Sequence, residues 1–148
     1  MEDVRTYQLA DIGERFVALA VDSLIVGIAG GLFGANGNWW GAGIVAFMVG
    51  ALYQWYFLTQ QDGQTLGKKL MGLRVIKVDG MPIRDADAVL RFIGYYINSF
   101  LLGLGWLWAF VDSNHQGLHD KIANTYVVKA SSVRSSSSVV VGEKTKNM

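Results

Sequence analysis

Residues Trp39–Leu58 read WWGAGIVAFMVGALYQWYFL, an unbroken stretch without one charged side chain. A hydrocarbon layer of about 30 Å is crossed by about 20 helical residues rising 1.5 Å each. The stretch meets that length, so its reading sets the fold class: mainly α, integral to a membrane. Trp39 and Trp40 at one end, and Trp55 and Tyr56 at the other, have the placing of interfacial aromatic belts.

Two further apolar segments flank it. Phe16–Phe33 is apolar except for Asp22, and Val89–Val111 is apolar except for Arg91 and the polar Asn98. The first predicts a second crossing helix. It is not read as a secretory signal, because the residues before it (Glu2, Asp3, Asp11, Glu14) are acidic where a signal is basic. The third segment either crosses or turns back at Gly103-Leu104-Gly105 as a re-entrant pair, and re-entry is favoured. A single crossing would put Lys121 and Lys129 on the outer side. It would also separate the downstream strand from its expected partners.

The composition agrees. In 148 residues, charged side chains make up 17% and hydrophobic ones 51%, with a mean hydropathy of +0.27; soluble domains average about 25% charged. Length allows one domain. Gly at 18 and Pro at 1 suit helices packed through small residues. The absence of cysteine excludes disulfides, zinc–thiolate sites, iron–sulfur clusters and a thiol nucleophile. A net charge of +1 gives no sign of a nucleic-acid partner.

Between and beyond the spans the chain is polar. Residues 1–14 carry Leu9, Ile12 and Phe16 at helical spacing and predict an interfacial segment ahead of the membrane domain, 15–130. Gly34–Asn38 predicts a tight turn without Lys or Arg. Thr59–Asp87 holds five basic residues: Lys68, Lys69, Arg74, Lys77 and Arg84. The charge bias places this loop and the N-terminus in the cytoplasm. Inside it, Leu73–Val78, then Asp79-Gly80, then Met81-Pro82-Ile83 predict a β-hairpin with an edge strand at Pro82. Thr125–Lys129 is expected to join it as a third strand, since a lone hairpin is barely stable. The Ser-rich residues 131–148 predict a disordered tail.

Chemistry rests on a few ionisable residues. Asp22 lies about 9 Å along its helix from Phe16, deep enough that a charge costs about 2.5–3.5 kcal/mol unless it is paired. It reads either as a proton- or cation-binding carboxylate or as a buried lock between helices. Arg15 shares its helical face two turns away and reads as a boundary anchor. Arg91 needs a partner within its apolar segment, and Asp22 is the expected one. Gly27, Gly30, Gly31 and Gly34 form small-xxx-small pairs for close packing. Gly63–Lys69 fails as a phosphate loop, because the spacing is one short and Lys69 stands where Ser or Thr is needed; it reads as a surface turn with snorkelling lysines. His115 and His119 have metal-ligand spacing but no third ligand, and read as polar surface contacts. No catalytic constellation appears, so neither an enzyme nor a bound cofactor is expected.

These motifs together resemble the RDD family, named for one arginine and two aspartates. The resemblance rests on Arg15-Phe16 with Ala18 and Asp22, Gly63–Lys68 with Gly72–Val75, Arg91 with Gly94-Tyr95-Tyr96, Leu104–Trp108, Gln116–Lys121 and Thr125–Val128. It implies that Arg15 and Asp22 are the named arginine and first aspartate, with Asp120 as the second and Asp112 as the alternative. It further implies a bacterial cell-membrane protein for which transport, including cation/proton antiport, is one role. Two functions follow. One is transport of a small cation, proton or solute by an oligomer with Asp22 as coupling carboxylate. The other is an accessory scaffold docking a partner through the cytoplasmic β-layer.

Overall fold

The computed structural model describes residues 7–34, 39–101 and 103–133. Helices dominate: α1 (Ile12–Gly34), α2 (Trp39–Gln60), a short α3 (Leu66–Leu70), α4 (Asp85–Phe100), α5 (Leu104–Val111) and a short α6 (Leu118–Ile122). Two strands, β1 (Leu73–Lys77) and β2 (Thr125–Lys129), complete the order.

Both long helices extend the apolar runs by a turn or less. They are 23 and 22 residues long and, at about 1.5 Å per residue, reach the thickness of a bilayer core. Gly30 lies on Ala46, Val26 on Gly50 and Asp22 on Tyr53, so the two run antiparallel. Of the small-residue pairs, Gly30 is the one in tight contact; Gly27 and Gly31 have open space beside them. Large apolar side chains on both helices, among them Leu24, Ile28, Leu32, Ile44, Met48 and Leu52, point away from the protein. Outward apolar faces on helices of this length suit lipid, not water.

The third segment is broken. Gly103 has a left-handed backbone (φ 80°), and the axes of α4 and α5 diverge by 106°. α4 starts four residues before the apolar run, because its first turn is polar: Asp85 and Asp87 sit at the positive end of the helix, and Asp87 accepts the Arg84 N–H at 2.9 Å. α4 packs on α2 through Phe47, Phe92 and Tyr96.

The sheet has two strands, not three. β1 and β2 pair antiparallel in the register Leu73↔Lys129 to Lys77↔Thr125. Thr125–Lys129 forms as expected, but Met81–Ile83 does not return along β1. The outer edge of β1 is already occupied: Gly63 O accepts the Val75 N–H at 2.9 Å, and the Gln64 amide donates to Leu73 O at 2.8 Å. Asp79-Gly80 still turns the chain, but toward α4. The outer edge of β2 meets the N-terminal segment, where Leu9 bridges Val128. Leu9 and Ile12 are therefore not on one interfacial helix; α1 starts at Ile12. A helical turn covers 130–133, whereas the expected turn at 35–38, the first six residues and the tail from 134 lie outside the described residues.

The buried core (Ala10, Ala18, Leu58, Leu73, Val75, Ala88 and Val127) lies where the sheet meets one end of the helices. That end also gathers the charged residues.

Candidate functional site

Arg15, Ala18 and Asp22 make the buried stripe of α1. The structure sends the two charged members to different partners. Asp22 meets the chain that follows α2. Thr65 caps the N-terminus of α3, and its hydroxyl donates to Asp22 at 2.6 Å. The Gly67 N–H donates at 2.8 Å and the Tyr53 hydroxyl at 2.7 Å. The Lys68 ammonium lies 3.8 Å away. A side chain at position 67 is sterically barred, because a Cβ there would sit 2.1 Å from Ala18 O. The Gly63–Lys69 stretch is thus a bracket between sheet and α1. Lys68 is buried against Asp22; only Lys69 keeps the exposed position expected of both.

Arg91 does not pair with Asp22. It is fully buried and bonds to Asp120 and to the Thr125 hydroxyl. Arg15 bonds to the other oxygen of Asp120 and to His115 O. Asp120 therefore joins α1, α4 and α6, and it also accepts the Gly117 N–H at 3.1 Å, which fixes the start of α6. The expected Asp22–Arg91 pair fails for a simple reason. Hydrophobic length placed Arg91 inside the bilayer, whereas the chain folds back after α5 and brings Asp120 to it. Asp112 lies apart, bonded to Lys121 at 2.6 Å, and this contact holds its carboxyl below the usual range.

Burial alone would raise Asp120, but His119, Arg91 and Arg15 outweigh it and hold the carboxylate ionised well below the usual range. His119 is completely buried, not a surface residue, and it is not on one helix with His115, whose backbone is left-handed. Its ring stacks on Tyr95 at 4.2 Å and lies 5.0 Å from Trp106. Burial first, then Arg91 and Arg15, push its pKa down to about 3 against the pull of Asp120. A Cβ at Gly94 would come within 2.7 Å of His119 Cα, so α6 reaches α4 only across a glycine. Among the described residues no three His, Cys, Asp or Glu side chains converge as a metal site.

Next to the Asp22 cluster, α1, α2, α4 and α5 line a cavity of about 430 Å³ that is open on one side. Asp22 reaches its wall, as do Ser23, Gln54, Phe92, Tyr95 and Trp106. Tyr95 and Trp106 thus face the cavity on one side and His119 on the other. Sequence reasoning missed Thr65 and Gln54, and read Lys68 and His119 as surface residues. The cap signature Thr65 before a short helix was the available signal for Thr65 and Lys68; Gln54 was marked as the one amide inside an otherwise apolar span.

The RDD family model matches residues 9–124. The chain belongs to the RDD family. Two curated relatives add reach but no activity. "Uncharacterized protein YxaI" of Bacillus subtilis (strain 168) is 28% identical over 86 residues, 57% of this chain and 56% of that protein. "Proline-rich antigen" of Mycobacterium leprae (strain TN) is 31% identical over 93 residues, 57% of this chain and 37% of that one. The chain therefore spans about half or less of the length of these relatives. No solved structure matches it.

Proposed function

We propose that this RDD chain lies in the cell membrane with α1 and α2 crossing, and that several copies together move a small cation, with Asp22 as the exchanging carboxylate. The observation that carries this is the position of Asp22: on the wall of a cavity between apolar helices, with the Lys68 ammonium 3.8 Å away and no cation in closer contact among the described residues. An entering cation competes with that ammonium for the carboxylate. Copies must assemble, because one chain offers too few helices to enclose a path. The N-terminus, the basic loop and the β-layer face the cytoplasm, supported by the charge bias. α4 and α5 re-enter, supported by the bend and by His115 O returning to Arg15 at the sheet end.

The scaffold reading is less well supported. Both outer edges of the sheet are met by the chain itself, through Gly63 and Gln64 on β1 and through Gln8 and Ala10 on β2, which leaves little edge for a partner strand.

Proteoliposomes loaded with sodium or potassium and given a pH gradient test the transport reading. Flux is expected from the native chain and should be lost in Asp22→Asn at equal incorporation. No flux of any inorganic cation, together with a stoichiometric co-purifying partner that persists in Asp22→Asn, would replace transport by the scaffold reading.

A further inference from the structure

The cavity beside Asp22 has features that an inorganic cation does not require. Its wall carries five aromatic rings, Phe47, Phe92, Tyr95, Tyr96 and Trp106. It carries no lysine, arginine or histidine among its lining residues. Its polar groups are mostly acceptors or hydroxyls, and the Gln54 Oε1 is buried without a hydrogen-bond donor. At about 430 Å³ the space is that of a small organic ligand, many times the size of a bare metal ion. A polar oxygen left unpaired in an apolar wall attracts positive charge. Aromatic faces attract a cation through the ring quadrupole, most strongly where water is scarce. An anion gains nothing here, since Asp22 repels it and no base attracts it.

We infer that the cavity between α1, α2, α4 and α5 binds a lipophilic organic cation, an amine or onium ion with an apolar body, its charged centre held between Asp22, Gln54 and the aromatic rings. The inference rests on the reading of this cavity as the solute site and names the class of solute. Asp22 already shares its charge with Lys68 and with three neutral donors, so the aromatic walls supply the larger part of the hold. Gly27 lines the cavity with nothing within 4 Å of the position a Cβ would take, so a larger side chain there fills ligand space without disturbing packing.

The test uses the full chain in lipid nanodiscs, with tetraphenylphosphonium as probe and tetraphenylborate, of the same shape and opposite charge, as comparator. Equilibrium dialysis against protein-free nanodiscs removes simple partitioning. Saturable binding of the phosphonium, and none of the borate, is expected. Gln54→Leu should weaken the phosphonium by a few-fold, the loss of one carbonyl dipole near a charge that has no N–H to bond it. Gly27→Leu should abolish it while the variant keeps the native melting temperature. Equal binding of both ions, or phosphonium binding that survives Gly27→Leu, would overturn the inference. Sodium or potassium flux without phosphonium binding would also overturn it while leaving the transport reading intact. Phosphonium binding without any flux would uphold it and remove the transport reading.

Discussion

Asp22 and Asp120 are both buried carboxylates at the same end of the helices, and they are held in different ways. Asp120 is gripped by two guanidiniums from α1 and α4 and is not among the residues that line the cavity between α1, α2, α4 and α5. Asp22 accepts from two hydroxyls and one backbone N–H, keeps its ammonium at 3.8 Å and borders that cavity. A carboxylate between two guanidiniums is fixed, because removing it leaves two buried cations unpaired. A carboxylate held mainly by neutral donors can lose or exchange a cation while its hydrogen bonds persist. The comparison therefore assigns Asp120 to holding the fold and supports the proposal that Asp22 exchanges a cation, although the fold gathers both at one charged end.

The largest effect expected is from Asp120→Asn. Breaking a buried ion pair by removing one partner costs about 3–5 kcal/mol. The variant should unfold well below the native chain in a thermal or denaturant scan in detergent. A double-mutant cycle sharpens the point. Arg91→Gln with Asp120→Asn should be strongly non-additive, with a coupling of about 0.5–3 kcal/mol. Arg91→Gln with Asp22→Asn, which share no hydrogen-bond partner, should be additive within about 0.5 kcal/mol. Coupling in the second cycle and none in the first would invert the assignment of the two aspartates.

Asp22→Asn comes next. The amide keeps an oxygen for Gly67 and Tyr53 and loses the charge that faces Lys68. Asp22→Asn leaves one buried cation, which keeps a bond to Thr65 Oγ1 at 3.3 Å, where Asp120→Asn leaves two, so its loss should stay below that of Asp120→Asn. Unfolding of the two variants in the same detergent compares them directly. If Asp22→Asn proves the more destabilising, Asp22 is itself a lock and its place beside the cavity is incidental.

The sequence made some of this legible and hid the rest for definite reasons. Apolar length alone revealed α1 and α2, since a bilayer imposes it on any crossing helix. Thr125–Lys129 was legible from β-branching, and Gly103 marked the break in the third segment. The hairpin was misread because Asp79-Gly80 signals a turn without naming the strand that follows; the edge of β1 was taken by Gly63 and Gln64, which no periodicity shows. Asp22 was legible as the lone acid in an apolar span and Arg15 as its neighbour on one helical face, while Asp120 was found as the second aspartate through the family resemblance. Their pairing was not, because Arg15 and Asp120 are 105 residues apart and a contact at that separation leaves no local mark. Lys68 was read as surface for the same reason: its burial depends on α1 crossing over Gly67.

The smallest effect at neutral pH is expected from His119→Phe, and it tests what surrounds Asp120. His119 Nδ1 is buried without a hydrogen-bond partner and Nε2 lies 3.5 Å from Asp120 Oδ1, at the edge of hydrogen-bond reach, while the ring face stacks on Tyr95. Phenylalanine keeps the stack and removes both polar atoms. Phenylalanine is larger than histidine, and overpacking a filled site costs about 1–3 kcal/mol, so stability at pH 7.5 should fall by no more than about that amount. The difference appears in acid. His119 is held at about 3 in the fold by burial and by the nearby guanidiniums, against an ordinary value of 6.5. Between those values the unfolded chain binds a proton that the folded chain refuses, so stability rises with pH through this window and falls as pH drops from 6.5 towards 3. Asp120 adds its own loss only further down, below the ordinary carboxylate pKa, as the unfolded carboxyl takes up a proton first. His119→Phe should therefore flatten the decline between pH 6.5 and 4.5 and leave the steeper fall below it. A native-like decline in the variant would mean that other groups titrate across that range and that His119 binds its proton equally in the folded and unfolded chain; a steeper decline would mean that His119 is charged in the fold, as a third cation on Asp120.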